Sequence, residues 1–113
     1  MMRSALHPTL EVTFHQDGDS VRRLLDGDLD RNNAPALTAA VIRSASLPAA
    51  RLVLDLSELS FIDAGGLRAL ADVARRARRH GRTLQLAHPS DHIVRVLRLT
   101  GLDHALEVIP PDL

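Results

Sequence analysis

The sequence has no cysteine and no lysine, and its only phenylalanine, tyrosine or tryptophan residues are Phe14 and Phe61. The absence of cysteine excludes disulfides, thiol nucleophiles and thiolate metal sites. The absence of a lysine ammonium argues against a phosphate-binding P-loop, a Schiff-base enzyme and a phosphorelay receiver of the usual kind. Two phenylalanines provide no platform for stacked nucleic-acid bases. Several classes of enzyme and of nucleic-acid-binding protein are thereby removed.

The charge balance is also informative, because fourteen arginines offset fourteen acidic residues in a chain of 113 residues. A molecule with zero net charge has no strong field to attract nucleic acid or an anionic membrane. No apolar run approaches the length of a membrane span, and the first residues lack the apolar core of a signal peptide. The sequence therefore predicts one compact cytoplasmic domain over residues 1–113.

Alternating and continuous apolar patterns predict five strands. The first two form a hairpin with its turn at Asp17-Gly18. Leu52, Val53 and Leu54 form a continuous apolar run, which favours a central strand covered on both faces of a parallel sheet. The predicted strands are Leu10–His15, Ser20–Leu25, Arg51–Ser57, Arg82–His88 and Ala105–Ile109.

Three helices are predicted between these strands. Asn33 suits the N-cap of the first helix, and Pro35 suits its first turn. Gly81 ends the second helix, Ser90 caps the third, and Gly101 ends it. The predicted apolar faces are Leu37, Ala40, Val41 and Ala45 in the first helix, Leu67, Leu70, Ala71, Ala74 and Ala77 in the second, and Ile93, Val96 and Leu97 in the third.

The order of these elements predicts an α/β sandwich, in which a mostly parallel mixed sheet opens with a β-hairpin and is covered by about three main helices. Functional loops in such sheets gather beyond the carboxyl ends of the parallel strands. Residues 30–33, 60–66 and 88–91 are therefore expected to share one edge. The second loop delivers a helix N-terminus with two glycines, so that a partner can approach the backbone closely.

Four segments carry a family resemblance: "GDLD", "LVLDLSELSFIDAGGL", "LQLAHPS" and "VLRLTGLD". Their order resembles that of STAS domains, and the chain is similar to bacterial anti-sigma factor antagonists from Leu10 to Ile109. The combination of segments is specific, although each short piece alone is not. The resemblance implies a single STAS domain over residues 1–113 with a recognisable core at residues 10–109.

The resemblance implies a regulatory binding module that is not an enzyme and needs no cofactor or metal. Antagonists of this kind bind a kinase-type anti-sigma factor and so release a sigma factor, until phosphorylation by that kinase ends the interaction. Leu67 is a candidate anchor for the protein partner. The implied partner-binding residues are Asp30, Arg31, Asn32, Asp63, Ala64, Gly65, Gly66, Leu67 and Arg68.

One position departs from the family pattern, in which aspartate is followed by a phosphate-accepting serine or threonine, a small residue, glycine and leucine. Here Ala64 occupies the acceptor position and has no hydroxyl group. The resemblance therefore implies binding without phospho-control at the usual site. Two consequences stay open: an antagonist freed from the switch, or a STAS domain that has left the sigma-factor circuit.

Asp63 and the glycines that follow it also have a structural interpretation. Asp63 suits a helix N-cap that accepts hydrogen bonds from the backbone N–H groups of Gly65 and Gly66. Gly66 could serve only close packing. Both roles are compatible with partner binding, because a cap that shapes the helix entrance also shapes the surface there.

Other functions have weaker support in the sequence. The alternative to the antagonist is an accessory subunit of a transporter ATPase or a scaffold in a stress-signalling complex. Asp63 combined with His88 or His92 would make an acid–base pair, but no nucleophile elbow accompanies it. Pro89 biases His88 toward an extended conformation, away from a metal-binding pair with His92. The basic run at 75–82 favours a solvated helix end, with an acidic partner surface as the alternative.

Overall fold

In the computed structural model of the protein, residues 10–44, 47, 49–102 and 106–109 are described. Within this part of the chain, one mixed sheet carries three helices. The strands are β1 (Leu10–Asp17), β2 (Ser20–Leu29), β3 (Arg51–Asp55), β4 (Leu59–Ile62), β5 (Thr83–Ala87) and β6 (Glu107–Val108). The helices are α1 (Ala34–Arg43), α2 (Ala64–Arg79) and α3 (Asp91–Thr100).

The sheet follows the strand order β1-β2-β3-β5-β6, and β4 pairs separately with β2. Among the strands of the described residues, only the β1–β2 pair is antiparallel, and the remaining pairs are parallel. Leu52, Val53 and Leu54 of β3 are all buried, which fits a strand covered on both faces. The predictions of a mostly parallel α/β sandwich and of a central β3 are confirmed.

The opening hairpin is longer than predicted, because Asp17 pairs with Ser20. The turn therefore consists of Gly18 and Asp19 rather than Asp17 and Gly18. Gly18 has a φ of 60°, which suits glycine as the first residue of a type II′ hairpin turn. The prediction was right about the hairpin but misplaced its turn by one residue.

β4 corrects the expectation of an irregular loop at 60–66. Strand β2 continues to Leu29, and its last residues pair with β4 after a register shift between Gly27 and Asp28. Leu59 and Ile62 point into the core, whereas Ser60 and Phe61 are exposed. The connection from β3 to α2 is therefore a short turn followed by a strand, and only Asp63 links that strand to the helix.

The inner faces of the helices agree with the apolar pattern. All five predicted residues of α2 are buried, as are Leu37, Ala40 and Val41 of α1, and Ile93 and Leu97 of α3. Val96 is partly buried against the same core. Ala45 lies outside the described residues. The core is rich in leucine. Helices α1 and α2 are in direct contact, and a groove lies between them.

The predicted helix ends hold for α3 but not for the start of α1. Ser90 Oγ accepts a hydrogen bond from the Ile93 N–H group at 3.2 Å, and Gly101 has a φ of 76°. Asn33 makes no side-chain cap, because its Nδ2 donates instead to the Asp28 carbonyl at 3.0 Å. The side chain of Asp30 takes part in this helix start, since Asp30 Oδ1 accepts from the Asn33 N–H group at 2.9 Å.

His88 corrects a second local expectation. It precedes Pro89 and was predicted to be extended, but its φ is 55°, in the left-handed region that non-glycine residues rarely adopt. It follows the end of β5, where the Ala87 carbonyl accepts a hydrogen bond from the Leu56 N–H group at 2.8 Å. Tertiary pairing of this strand end overrides the local preference.

Candidate functional site: the entrance of helix α2

The entrance of α2 is built around one capping aspartate. The Gly66 N–H group donates to Asp63 Oδ1 at 2.8 Å, and Asp63 has the extended backbone of an N-cap. The predicted cap is present, with Gly66 as the donor to this side chain. Ala64 follows as the first helical residue and is exposed. Asp63 also donates its own N–H group to the Leu29 carbonyl at 3.3 Å, so the entrance is tied to the end of β2.

Gly66 lets α2 begin close against β2. A Cβ atom at this position would lie 2.1 Å from the Leu29 carbonyl oxygen, far closer than atoms can approach. Gly66 is buried, and Leu67 is only 8% exposed within the core. The expectation that Leu67 anchors a partner is therefore corrected: its side chain faces inward because it fills the core beside β4 and β2.

The turn after β2 lies beside the entrance. The Asp30 backbone carbonyl accepts a hydrogen bond from the Ala34 N–H group at 2.8 Å. This bond holds the turn against the first residue of α1. Arg31 and Asn32 are both exposed in that turn. A Cβ atom on Gly65 would lie 3.0 Å from the Arg31 Cα atom. The two segments predicted to form the partner surface are therefore in close contact.

A groove opens between α1 and α2 where these segments meet. It has a volume of about 610 Å³, and its lining includes Arg31, Ala64, Gly65 and Arg68. The structure thus brings four of the predicted residues to one surface. Asp63 is half-buried as the cap, Gly66 and Leu67 are buried, and Asp30 and Asn32 belong to the flanking turn.

Phe61 is an exposed apolar residue that the predicted set of site residues omitted. It lies at the end of β4, two positions before the capping Asp63, and its side chain is 52% exposed. The signal in the sequence was a bulky aromatic residue at an outward position of a short strand. It offers a partner an apolar contact of the kind that Leu67 cannot provide.

A second cluster of polar groups lies at the end of β3. Asp55 Oδ2 accepts from Arg22 Nη1 at 3.1 Å, and Asp55 Oδ1 accepts from the Ser57 N–H group at 3.0 Å. Burial alone would raise the pKa of Asp55, but the hydrogen bonds from Ser57 and the nearby charges of His88 and Arg22 outweigh it and lower that pKa. Asp55 is thus a carboxylate that joins two strands.

The described part of the chain contains no candidate metal-binding cluster and no candidate membrane-spanning helix. Its histidine and acidic residues form no group of three that could hold a metal ion. None of its helices is both long enough and apolar enough to cross a membrane.

The fold is a mixed α/β domain in which Asp63 and Gly66 tie the start of α2 to the end of β2. A family model described as "Mlab, STAS domain" matches residues 12–110. The chain therefore belongs to the STAS domain family, as the resemblance predicted.

The proteins to which this chain is similar include anti-sigma factor antagonists. The chain is 23% identical to the anti-sigma-B factor antagonist of Bacillus subtilis (strain 168) over 99 residues, covering 88% of this chain and 90% of the relative. A crystal structure of an anti-sigma factor antagonist from Mycobacterium paratuberculosis superposes with a TM-score of 0.78 at 24% identity, covering 90% of this chain and 86% of that one. The Bacillus cell fate determinant SpoIIAA in its phosphorylated form gives a TM-score of 0.67 at 18% identity, covering 88% and 92%. At these identities, the structural similarities show the fold.

Proposed function

We propose that this protein is an anti-sigma factor antagonist that acts in the cytoplasm. It binds a kinase-type anti-sigma factor through the entrance of α2 and thereby releases a sigma factor, without catalysing a reaction. The observation that carries the proposal is the exposed Ala64, held at the start of a capped helix and lining one groove with Arg31 and Arg68. The names of its relatives support the same assignment.

The proposal includes the loss of phospho-control at the usual position. A phosphoryl group there would add about 1.5–2 negative charges beside Asp63 and would disrupt a partner fitted to the entrance. Ala64 cannot accept a phosphoryl group, because its side chain is a methyl group. The protein consequently holds its partner whether or not ATP is present, and its activity is set by its abundance rather than by phosphorylation of this residue.

Affinity capture from the native cell lysate, with and without added ATP, tests this function. The baits are the wild-type protein and Ala64→Ser, which restores a hydroxyl group at the helix entrance. We expect both to retain a kinase-type anti-sigma factor without ATP. With ATP, only Ala64→Ser is expected to gain phosphate and release that partner, as mass spectrometry of bait and eluate will show.

Ala50→Ser is the matched control, because it adds the same hydroxyl group at an exposed position that precedes β3. This variant should retain the partner in both conditions and should gain no phosphate. Recovery of transporter components or of a larger signalling complex, in place of an anti-sigma factor, would reject the proposal in favour of an accessory or scaffold role. Release of the wild-type protein by ATP would reject the loss of phospho-control.

A further inference from the structure

The groove beside the helix entrance is accompanied by a second cavity further along α2. The groove reaches from Ala64 to Asp72 on α2, and Ile42 of α1 lies in its wall. The second cavity, of about 240 Å³, adjoins the far half of the helix, between Arg76 and His80. Ile42 lines both cavities, and we name the two together the α1–α2 groove.

The α1–α2 groove has an apolar floor. Ala39 and Ala69 line its first part, and Val41, Leu52 and Ala77 line its second part. Ile42 stands between the two parts and is 51% exposed, although it is a large apolar residue. Covering such a surface with apolar side chains is favourable, because both surfaces are then removed from water.

The rim of the same groove is positively charged. Arg31, Arg68 and Arg76 are exposed along it. Asp72 is the acidic residue of its lining, and that carboxylate is already paired with Arg75 of the same helix. Helix α2 carries five arginines against this one aspartate, a net charge of plus four on a chain whose total charge is zero. Of these five arginines, Arg68 and Arg76 line the α1–α2 groove, and Arg31 adds a third positive charge from the turn after β2.

We propose that the α1–α2 groove docks an acidic amphipathic helix of a protein partner. Apolar side chains of that helix would cover Ile42 and fill the two cavities, and its flanking carboxylates would face Arg31, Arg68 and Arg76. Helix α2 has 16 residues and so spans about 24 Å, which sets the length of the docked segment. The inference rests on the proposed function for the identity of the partner, but its chemistry follows from the groove alone.

A synthetic peptide tests this chemistry directly. The probe is a fluorescein-labelled helix of about 16 residues, with leucines at i, i+3, i+4 and i+7 spacing and glutamates flanking that stripe. A scrambled peptide of the same composition, which has no apolar stripe, serves as the probe control. Fluorescence anisotropy with the full chain is expected to show saturable binding of the amphipathic probe, at least about tenfold tighter than that of the scrambled one.

Substitutions in the groove locate the binding. Ile42→Asp, Arg68→Glu and Arg76→Glu are each expected to weaken the affinity about tenfold. Arg79→Glu is the control for the arginine substitutions, because it makes the same charge change at an exposed position of α2 outside the groove. Leu99→Asp is the control for Ile42→Asp, because Leu99 is an apolar residue of α3 that is 80% exposed. These two controls should change the affinity less than about twofold. Circular dichroism checks that each variant is folded.

Two results would overturn the inference. One is equal affinity for the amphipathic and scrambled probes, which would show only nonspecific attraction to arginine. The other is an equal loss of affinity in Arg79→Glu and Arg76→Glu, which would show that the groove is not the site.

The peptide assay contains no anti-sigma factor, so its outcome is separate from that of the lysate capture. Specific peptide binding without capture of an anti-sigma factor would support the groove and reject the proposed function. Capture of an anti-sigma factor that is undiminished by Ile42→Asp and Arg76→Glu would support the function and reject the groove as its docking site.

Discussion

At the scale of single residues, the absence of one methyl group allows α2 to begin against β2. The Leu29 carbonyl oxygen occupies the space that a Cβ atom on residue 66 would need, at a separation of 2.1 Å. The obstacle is backbone, so it cannot move aside by a change of rotamer. Gly66 therefore places Asp63 and Ala64 at the surface by allowing the helix behind them to approach the sheet.

Gly66→Ala is expected to lower the free energy of unfolding by about 1–3 kcal/mol, because α2 must move away from β2 to make room. Urea unfolding followed by circular dichroism measures this change. Gly65→Ala is the matched control. Its Cβ would lie 3.0 Å from atoms of Arg31 in an exposed turn, and the turn can shift. The gain in helix propensity, about 1 kcal/mol, should offset that shift. Equal destabilisation of the two variants would contradict this role for Gly66.

The local signals in the sequence predicted the caps better than they predicted side-chain direction at the site. Asp63 and Ser90 are followed by helices with suitable donors, so short-range chemistry was enough to identify them. Leu67 and Phe61 were harder, because their exposure depends on how β4 and α2 cross the core. His88 shows the same limit, since its positive φ opposes the local effect of Pro89.

At the scale of secondary-structure elements, two arginines hold the C-terminus of α1. One lies within β2, and the other lies just before β5. The buried Arg23 of β2 donates from Nη2 to Ser44 Oγ at 2.9 Å and to the Ala40 carbonyl at 3.1 Å. Arg82, just before β5, donates from Nη1 to the Ser44 carbonyl at 2.6 Å. Cations are favourable beside the last carbonyls of a helix. This arrangement fixes α1, and with it one wall of the α1–α2 groove.

A double-mutant cycle with Ser44→Ala and Arg23→Met measures this coupling. Ser44→Ala alone is expected to cost about 1–3 kcal/mol, because it leaves a buried guanidinium with fewer acceptors. In the Arg23→Met background, the same change should cost about 1 kcal/mol less. Thermal and urea unfolding provide the free energies.

Thr100→Ala is the control for the hydroxyl group itself. Thr100 Oγ1 donates to the Val96 carbonyl at 2.8 Å in α3, as Ser44 Oγ donates to the Ala40 carbonyl in α1. The cost of Thr100→Ala should be the same with Arg23 or Met at position 23. Additive costs for Ser44→Ala and Arg23→Met would show that Arg23 does not hold the helix end through Ser44.

Most elements were predictable from apolar periodicity, but β4 was not. Four residues are too few for alternation to separate a strand from a loop. Its existence depends on a long-range event, because β2 pairs with β3 up to Leu24 and with β4 from Gly27 onward, with a register shift between Gly27 and Asp28. No local pattern encodes that exchange.

At the scale of the whole molecule, the charges are unevenly distributed over the surface. The net charge is zero, but this sum over the whole chain does not reveal the basic rim of the α1–α2 groove. Only the packing of α1 against α2 shows that Arg31, Arg68 and Arg76 border an apolar groove. A neutral molecule can thus present a locally basic surface.

The free energy of unfolding should depend on pH in the acid range through Asp55. This residue joins β2 and β3 by its contact with Arg22. Because the pKa of Asp55 in the folded protein is below its ordinary value of 3.8, the unfolded chain takes up a proton here before the folded one does. The stabilisation is therefore complete above about pH 5 and is lost as the pH falls through the folded-state pKa. Neutral pH retains all of it.

Asp55→Asn removes the charge but keeps the shape of the side chain. We expect this variant to be less stable than the wild type by about 1 kcal/mol at pH 7, and the difference should shrink as the pH falls below about 3. Urea unfolding at both pH values measures it. Asp26→Asn, which makes the same substitution at an exposed position of β2, should have a much smaller effect at pH 7. A difference between wild type and Asp55→Asn that stays constant across this range would mean that the lost stability comes from packing or hydrogen bonding, since only the carboxylate's charge titrates there.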